Sequence, residues 1–109
     1  MGTVSARPPL HLTAHGLERW CQRTGQEPHA VHLAWQEAVF RGTARIRVYH
    51  GRQTVLAYGY QTGDWVLVVG YQAGRHHPGY HKERPTGYRL LSVWSPQWWA
   101  IRVNRMGRR

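Results

Sequence analysis

The sequence has one cysteine, five acidic residues and no long apolar run among its 109 residues. A single thiol, Cys21, excludes an internal disulfide and a zinc site built from cysteines. No apolar stretch approaches the length of a membrane span, and residues 1–9 lack the apolar segment of a signal peptide. We therefore expect a cytoplasmic protein that does not cross a membrane.

Basic residues are as abundant as acidic residues are scarce. Fifteen Lys and Arg residues give a formal net charge of +10, and all of them except Lys82 are arginines. A charge of this size attracts polyanions, and the planar guanidinium group matches phosphate geometry. A genomic bias towards arginine would explain Arg in place of Lys, but it would not explain the scarcity of acids. The predicted partner is therefore RNA, with DNA as the alternative.

Two helices are predicted in the N-terminal part of the chain. Thr13 is a suitable N-cap and Gly25 a suitable terminator, which predicts a helix over residues 13–23. Pro28 suits the first turn of a second helix, predicted from His29 to Phe40. The apolar stripes expected to face the core are Ala14, Leu17, Trp20 and Cys21 in the first helix, and Val31, Ala34, Trp35, Ala38 and Val39 in the second.

After Thr43 the apolar residues alternate with polar ones, which is typical of strands. Strands are predicted over residues 44–49, 54–60, 65–71 and 89–95, and residues 97–103 are predicted as a last strand or a short helix. The expected fold is α+β, a single domain of residues 1–109 with two N-terminal helices packed on a four- to five-stranded antiparallel sheet. Trp20 and Trp35 should lie between helices and sheet. Residues 1–9 are expected to be a flexible N-terminus, 72–88 a long basic loop and 104–109 a basic tail.

The candidate site residues are basic, histidine or tyrosine side chains. His15, Arg19 and Arg23 recur every fourth residue and share one stripe of the first helix, either as a site or as a solvated surface. Arg45, Arg47 and Tyr49 should project from one face of a strand and follow phosphates. The long loop adds Arg75, His76, His77, His81, Lys82 and Arg84 as candidate nucleic-acid contacts. Because the histidines lack a third ligand nearby, neither a metal site nor a cofactor is predicted.

The order of two helices followed by antiparallel strands, with His15-x-x-x-Arg19-x-x-x-Arg23 on the first helix, resembles a superfamily of small ribonuclease toxins. This superfamily includes RelE, barnase and the colicin tRNases. The resemblance implies metal-independent cleavage of RNA by residues of the first helix together with polar residues on the sheet. Ser92 lies on a strand where the family often has a small hydroxyl. An acidic antitoxin or inhibitor protein is the partner that the resemblance implies.

The residues fit such a reaction, in which a base removes the proton of the 2′-hydroxyl and a cation stabilises the phosphorane. His15 is the candidate base because histidine titrates near neutral pH and Arg19, one turn away, favours its neutral form. Arg19 and Arg23 are the candidate phosphate clamp. Two non-enzymatic alternatives stay open: a nucleic-acid-binding protein without catalysis, and a small phage or mobile-element effector that binds a protein partner.

Overall fold

The computed structural model describes residues 7–48, 51–73 and 85–107. Its elements, in chain order, are β1 (Leu10–Leu12), α1 (Ala14–Thr24), α2 (Ala30–Glu37), β2 (Val39–Val48), β3 (Gln53–Thr62), β4 (Trp65–Ala73), β5 (Pro85–Trp94) and α3 (Pro96–Gly107). None of the helices in these ranges is long and apolar enough to cross a membrane.

The five strands form one sheet in the order β1-β5-β4-β3-β2. Strands β2 to β5 are an antiparallel meander, as the alternation predicts. Strand β1 pairs with β5 in the parallel direction, with Leu10 opposite Tyr88 and Leu12 opposite Leu90. The α+β class is therefore confirmed, but the sheet is mixed and not purely antiparallel.

Helix α1 packs closely against β5. The Thr13 hydroxyl accepts a hydrogen bond from the Gly16 N–H at 2.8 Å and donates one to the Leu90 carbonyl at 2.7 Å, which both caps the helix and fixes it to the strand. A Cβ atom on Gly16 would lie 2.9 Å from the Leu90 carbonyl carbon, so only glycine permits this approach. Because the helix meets the sheet through Gly16, Ala14 is exposed and not buried as predicted. Gly25 ends α1 at a φ of 71°.

The two indoles predicted between helices and sheet are both buried. Trp20 and Trp35 are each 1% exposed, and they belong to a core that includes Leu67, Leu90 and Val93. Each indole N–H donates to a backbone carbonyl at 2.9 Å, Trp20 to Glu27 and Trp35 to Pro8. Removing either indole would leave a large cavity, which gives Trp→Ala an expected cost of about 3–5 kcal/mol.

Helix α2 is shorter than its apolar stripe predicts. It ends at Glu37 because Ala38 adopts an extended backbone, with φ −69° and ψ 151°. Val39 and Phe40 are therefore the first residues of β2, and they are about half exposed, at 53% and 50%. The prediction that Val39 belongs to the helical core was wrong, because β2 begins at Val39 although the apolar spacing typical of a helix continues to this residue.

Helix α3 covers the opposite face of the sheet, which shows that the helix is the correct alternative for residues 97–103. The Ser95 hydroxyl accepts a hydrogen bond from the Trp98 N–H at 3.2 Å, capping the helix start. The second core lies beneath α3 and consists of Ala44, Ile46, Ala57, Val66, Val68 and Trp99. Of the predicted basic tail, residues 104–107 continue α3, and residues 108–109 lie outside the described ranges.

Between β3 and β4 the sheet opens into a fork. The two strands pair only from Tyr58 opposite Val69 to Thr62 opposite Trp65. Within the described residues, the start of β3 continues alongside β2, and the end of β4 continues alongside β5. We call these two pairs the β2–β3 arm and the β4–β5 arm, and the space between them the fork. The β4–β5 arm includes residues 72–73 and 85–88, so the predicted loop of residues 72–88 is wrong at both of its ends, because these residues pair across the two strands. Residues 74–84 are outside the described ranges.

Candidate nucleic-acid interface

The alternation of β2 divides its side chains between the two faces of the sheet. Ala44 and Ile46 are buried under α3, and Arg45 and Arg47 are exposed on the other face, as the pattern predicts. Arg45 lies opposite Leu56, which is 37% exposed, and Arg47 lies opposite Thr54. Paired positions of neighbouring strands share a face, so the two guanidinium groups stand beside a partly apolar strip of β3.

Four tyrosines from three strands adjoin this strip. Tyr58 and Tyr60 come from β3, Tyr71 from β4 and Tyr88 from β5. The ring centroids of Tyr58 and Tyr71 are 4.9 Å apart, and those of Tyr71 and Tyr88 are 5.0 Å apart with an interplanar angle of 24°. Tyr71 is 48% exposed, whereas the other three are half-buried. The cluster therefore has a packed interior and one open ring.

The environment of the cluster favours the uncharged form of two of its hydroxyls, those of Tyr58 and Tyr88. Burial raises the pKa of Tyr88, and hydrogen bonding to Tyr60 and Tyr71 raises it further because it favours the uncharged form. Burial also raises the pKa of Tyr58, with a further contribution from Tyr71. Tyr58 and Tyr88 thus add no negative charge beside the arginines.

Arg7 and Phe40 border the other end of the cluster. The Arg7 guanidinium carbon lies 4.8 Å from the Tyr60 ring centroid and 5.2 Å from that of Trp35. Its N–H groups donate to the Trp35 carbonyl at 2.8 Å and to the Ala38 carbonyl, which holds the cation in place. The Phe40 and Tyr60 centroids are 5.3 Å apart. We call the whole surface the tyrosine face; it consists of Arg7, Phe40, Arg45, Arg47, Leu56, Tyr58, Tyr60, Tyr71 and Tyr88.

The three candidate residues of α1 have different environments. His15 is exposed, and Arg19 donates to the Gln22 side chain at 2.9 Å. Arg23 donates to the Val93 carbonyl at 2.7 Å, so it ties the end of the helix to β5. Among the hydrogen bonds of the described residues, Arg23 therefore bonds to the sheet, whereas His15 and Arg19 do not.

The structure does not bring Ser92 together with these helix residues. Ser92 lies opposite Val68, which is buried in the core under α3, whereas α1 packs on the other face. The cause is a register shift, since Val69 lies opposite Leu90 while the adjacent Val68 lies opposite Ser92. The extra residue in β5 turns Ser92 towards the face that α1 does not cover.

Two polar residues that sequence reasoning passed over meet at the parallel edge of the sheet. His11 pairs with Arg89, and both face away from the core that Leu10 and Leu12 join. Within the part of the chain that the structure describes, His11 Nε2 and Arg89 Nε are buried without a hydrogen-bond partner. The alternation of Leu10, His11 and Leu12 indicates the strand, but the parallel partner cannot be read from local sequence.

The remaining candidate contacts, Tyr49, Arg75, His76, His77, His81, Lys82 and Arg84, lie outside the described residues. Inside the described ranges, no group of three or more His, Cys, Asp or Glu side chains is arranged to hold a metal ion. In comparisons with known proteins, no family model, no curated protein and no solved structure matches this chain. The resemblance to ribonuclease toxins therefore stays a prediction from the helix motif and the predicted order of elements, to which the structure adds a strand, β1, before the two helices.

Proposed function

We propose that this protein binds nucleic acid through the tyrosine face. The observation that carries the proposal is the position of Arg45 and Arg47, exposed on the same open sheet surface as Tyr58 and Tyr71. Guanidinium groups bind phosphates, and aromatic rings stack on bases. Both requirements of a nucleic-acid surface are met on adjoining strands.

The distribution of charge supports the same proposal. The net charge of +10 favours fast, salt-sensitive association with a polyanion. The described carboxylates belong to other places: Glu18 to α1, Glu37 to α2, Glu27 to the segment between these helices and Asp64 to the β3–β4 turn. None of them belongs to the tyrosine face, so an approaching phosphate backbone meets arginines without a carboxylate among them.

The test is the salt dependence of binding to fluorescently labelled RNA and DNA oligonucleotides, followed by fluorescence anisotropy. The Arg45→Gln/Arg47→Gln variant should bind more weakly, and its slope of log affinity against log salt should be smaller by about 1.4, since each phosphate contact with a single strand contributes about 0.7. Arg41→Gln/Arg102→Gln removes the same charge beside and within α3, away from the tyrosine face and from the residues of the second candidate, and is the matched control.

The control variant should keep the wild-type slope. Equal losses in the two double variants would mean that the whole surface attracts nucleic acid without a site on the tyrosine face. An absence of binding by the wild-type protein at low salt would refute the proposed function itself.

A metal-independent endoribonuclease of the RelE-like toxin type is the second candidate. The observation that favours it is His15, exposed on α1 one turn from Arg19. In this reaction His15 takes the proton of the 2′-hydroxyl, and the 2′-oxygen attacks phosphorus and displaces the 5′-oxygen, which takes up a proton from water. Arg19 stabilises the negative charge that develops on the non-bridging phosphate oxygens. Ser92 takes no part, because it lies on the opposite face of the sheet from α1. An acidic antitoxin or inhibitor partner belongs to this candidate.

Cleavage of RNA in the presence of EDTA, with detection of 2′,3′-cyclic phosphate ends, tests this second candidate. His15→Ala should remove most cleavage and leave RNA affinity nearly unchanged, since a neutral base adds little to ground-state binding. Arg19→Ala should reduce both quantities, and His11→Ala is the control for loss of a histidine elsewhere. Equal cleavage by His15→Ala and wild type would place any activity elsewhere, and no cleavage by either would leave binding alone.

A further inference from the structure

An exposed aromatic ring, that of Tyr71, lies on β4 just beyond the point where β4 stops pairing with β3. Tyr71 follows Val69, which is the last β4 residue paired with β3, so its backbone belongs to the β4–β5 arm. One side of its ring stacks on Tyr88, at 5.0 Å between centroids. With 48% of the residue still exposed, Tyr71 offers further ring surface to a ligand.

The other arm supplies the cations and an apolar wall. Arg45 and Leu56 occupy paired positions on the β2–β3 arm, and Leu56 is exposed on the same face as Tyr58. Arg45 and Arg47 are two residues apart on one strand, which separates their Cα atoms by about 6.7 Å. Neighbouring phosphates of an extended strand can reach both guanidinium groups, because these side chains are long and flexible.

We propose that the fork is a subsite for one unpaired base of a single strand of nucleic acid. The base stacks on Tyr71, and the backbone that carries it runs along Arg45 and Arg47. This inference rests on the proposed function and specifies its substrate class. In a duplex the bases are already paired and stacked within the helix, so a duplex can use the arginines but cannot present a base to Tyr71.

The subsite should tolerate every base, since each has a flat face that stacks on an aromatic ring. Tyr71 contributes its ring, and its hydroxyl contacts the neighbouring tyrosines. Phenylalanine at this position therefore preserves the stacking surface, whereas alanine removes it. RNA and DNA single strands share this chemistry, and both serve as probes.

The experiment compares labelled oligouridine and oligothymidine with duplexes of the same length, using wild-type protein, Tyr71→Ala and Tyr71→Phe. Tyr71→Ala should weaken single-strand binding by about 5- to 150-fold, as expected for loss of one stacked base, and leave duplex binding unchanged. Tyr71→Phe should bind like wild type. Leu33→Ala, which truncates a 65% exposed apolar residue of α2, is the surface control and should change neither affinity.

A second measurement follows the base itself, with 2-aminopurine within a single strand as the fluorescent probe. Its emission should be quenched on binding to wild-type protein and to Tyr71→Phe, but less so with Tyr71→Ala at saturating protein. Unfolding curves of each variant report whether the fold is retained, and the probe comparison is made between folded proteins.

Three outcomes would overturn the inference. If Tyr71→Ala binds single strands as tightly as wild type while Arg45→Gln/Arg47→Gln does not, the proposed function stands and the stacking subsite is wrong. Equal loss of single-strand and duplex affinity in Tyr71→Ala would show that Tyr71 maintains the surface and holds no base. Failure of the wild-type protein to bind either probe would refute the proposed function as well. An extended peptide would then be the next ligand to test in the fork.

Discussion

Gly59→Ala offers a sharp test of how the second core is packed. Gly59 lies on β3 directly beneath Trp99, and a Cβ atom there would be 2.5 Å from the indole Nε1 and 2.6 Å from Cζ2. Trp99 is 2% exposed, and its N–H donates to the Arg41 carbonyl at 2.9 Å. The indole cannot move aside without losing packing and this hydrogen bond, so the added methyl group forces a rearrangement of α3.

The expected magnitude combines three contributions. Overpacking costs about 1–3 kcal/mol, and weakening the indole hydrogen bond costs about 0.5–1.5 kcal/mol. The reduced backbone freedom of alanine in the unfolded chain returns about 0.4–1 kcal/mol. The midpoints of these ranges give a fall of about 2 kcal/mol in the free energy of unfolding of Gly59→Ala, which corresponds to a fall in Tm of roughly 10 °C for a domain of this size.

Urea unfolding followed by far-ultraviolet circular dichroism measures the effect without relying on tryptophan fluorescence. Gly70→Ala is the matched control, because its Cβ would meet only the flexible end of Leu91 at 3.2 Å and should change stability by less than about 0.5 kcal/mol. In a Trp99→Leu background the Gly59→Ala cost should shrink, since the obstructing ring is gone. A Gly59→Ala protein as stable as wild type would show that Trp99 does not lie against β3.

Three further changes test other parts of the fold by the free energy of unfolding or by Tm. Thr13→Ala should cost about 2–3 kcal/mol in urea unfolding, because it removes the helix cap and leaves the Leu90 carbonyl without its donor, whereas Thr13→Ser should retain most of the stability. Trp20→Ala should lower the free energy of unfolding by about 3–5 kcal/mol. A loss below about 1 kcal/mol, which is typical of an exposed residue, would contradict the burial of Trp20. Burial raises the pKa of Tyr88 in the folded protein above the usual value of 10.0. The uncharged Tyr88 therefore stabilises the fold fully below pH 10. This stabilisation is lost as the pH rises above 10, because Tyr88 then ionises in the unfolded chain but not in the folded one. Thermal unfolding above pH 10 should therefore show a smaller decline in Tm for Tyr88→Phe than for wild type, and equal declines would contradict the assignment.

The features that could be predicted from sequence depend on residues close together in the chain. Thr13 and Gly25 act as caps through bonds made within α1, and the alternation around Arg45 follows from the strand backbone alone. The same reasoning found the arginine part of the tyrosine face. It did not find Tyr71 as part of a site, because its exposure depends on where β3 leaves β4.

The features that escaped prediction depend on residues far away in the chain. The extra residue in β5 is visible only against its partner β4, and it decides the face on which Ser92 lies. The parallel pairing of His11 with Arg89 joins the first and last strands of the described chain. For residues 97–103, a strand and a helix fit the local pattern equally, and burial of Trp99 over Gly59 decides between them.

The parallel pairing of β1 with β5 also has a consequence for the order of folding during synthesis. Leu10 to Leu12 pair with residues 88–90, and Thr13 bonds to Leu90, so the first strand and helix of the described chain dock against its last strand, β5. Contacts between such distant segments form slowly, since a long loop must close before they are made. During synthesis on the ribosome, the apolar side of α1 therefore stays exposed to solvent until β5 has emerged. The β2–β3 hairpin, whose partners are near in sequence, can form earlier and serve as the template on which the rest of the sheet assembles.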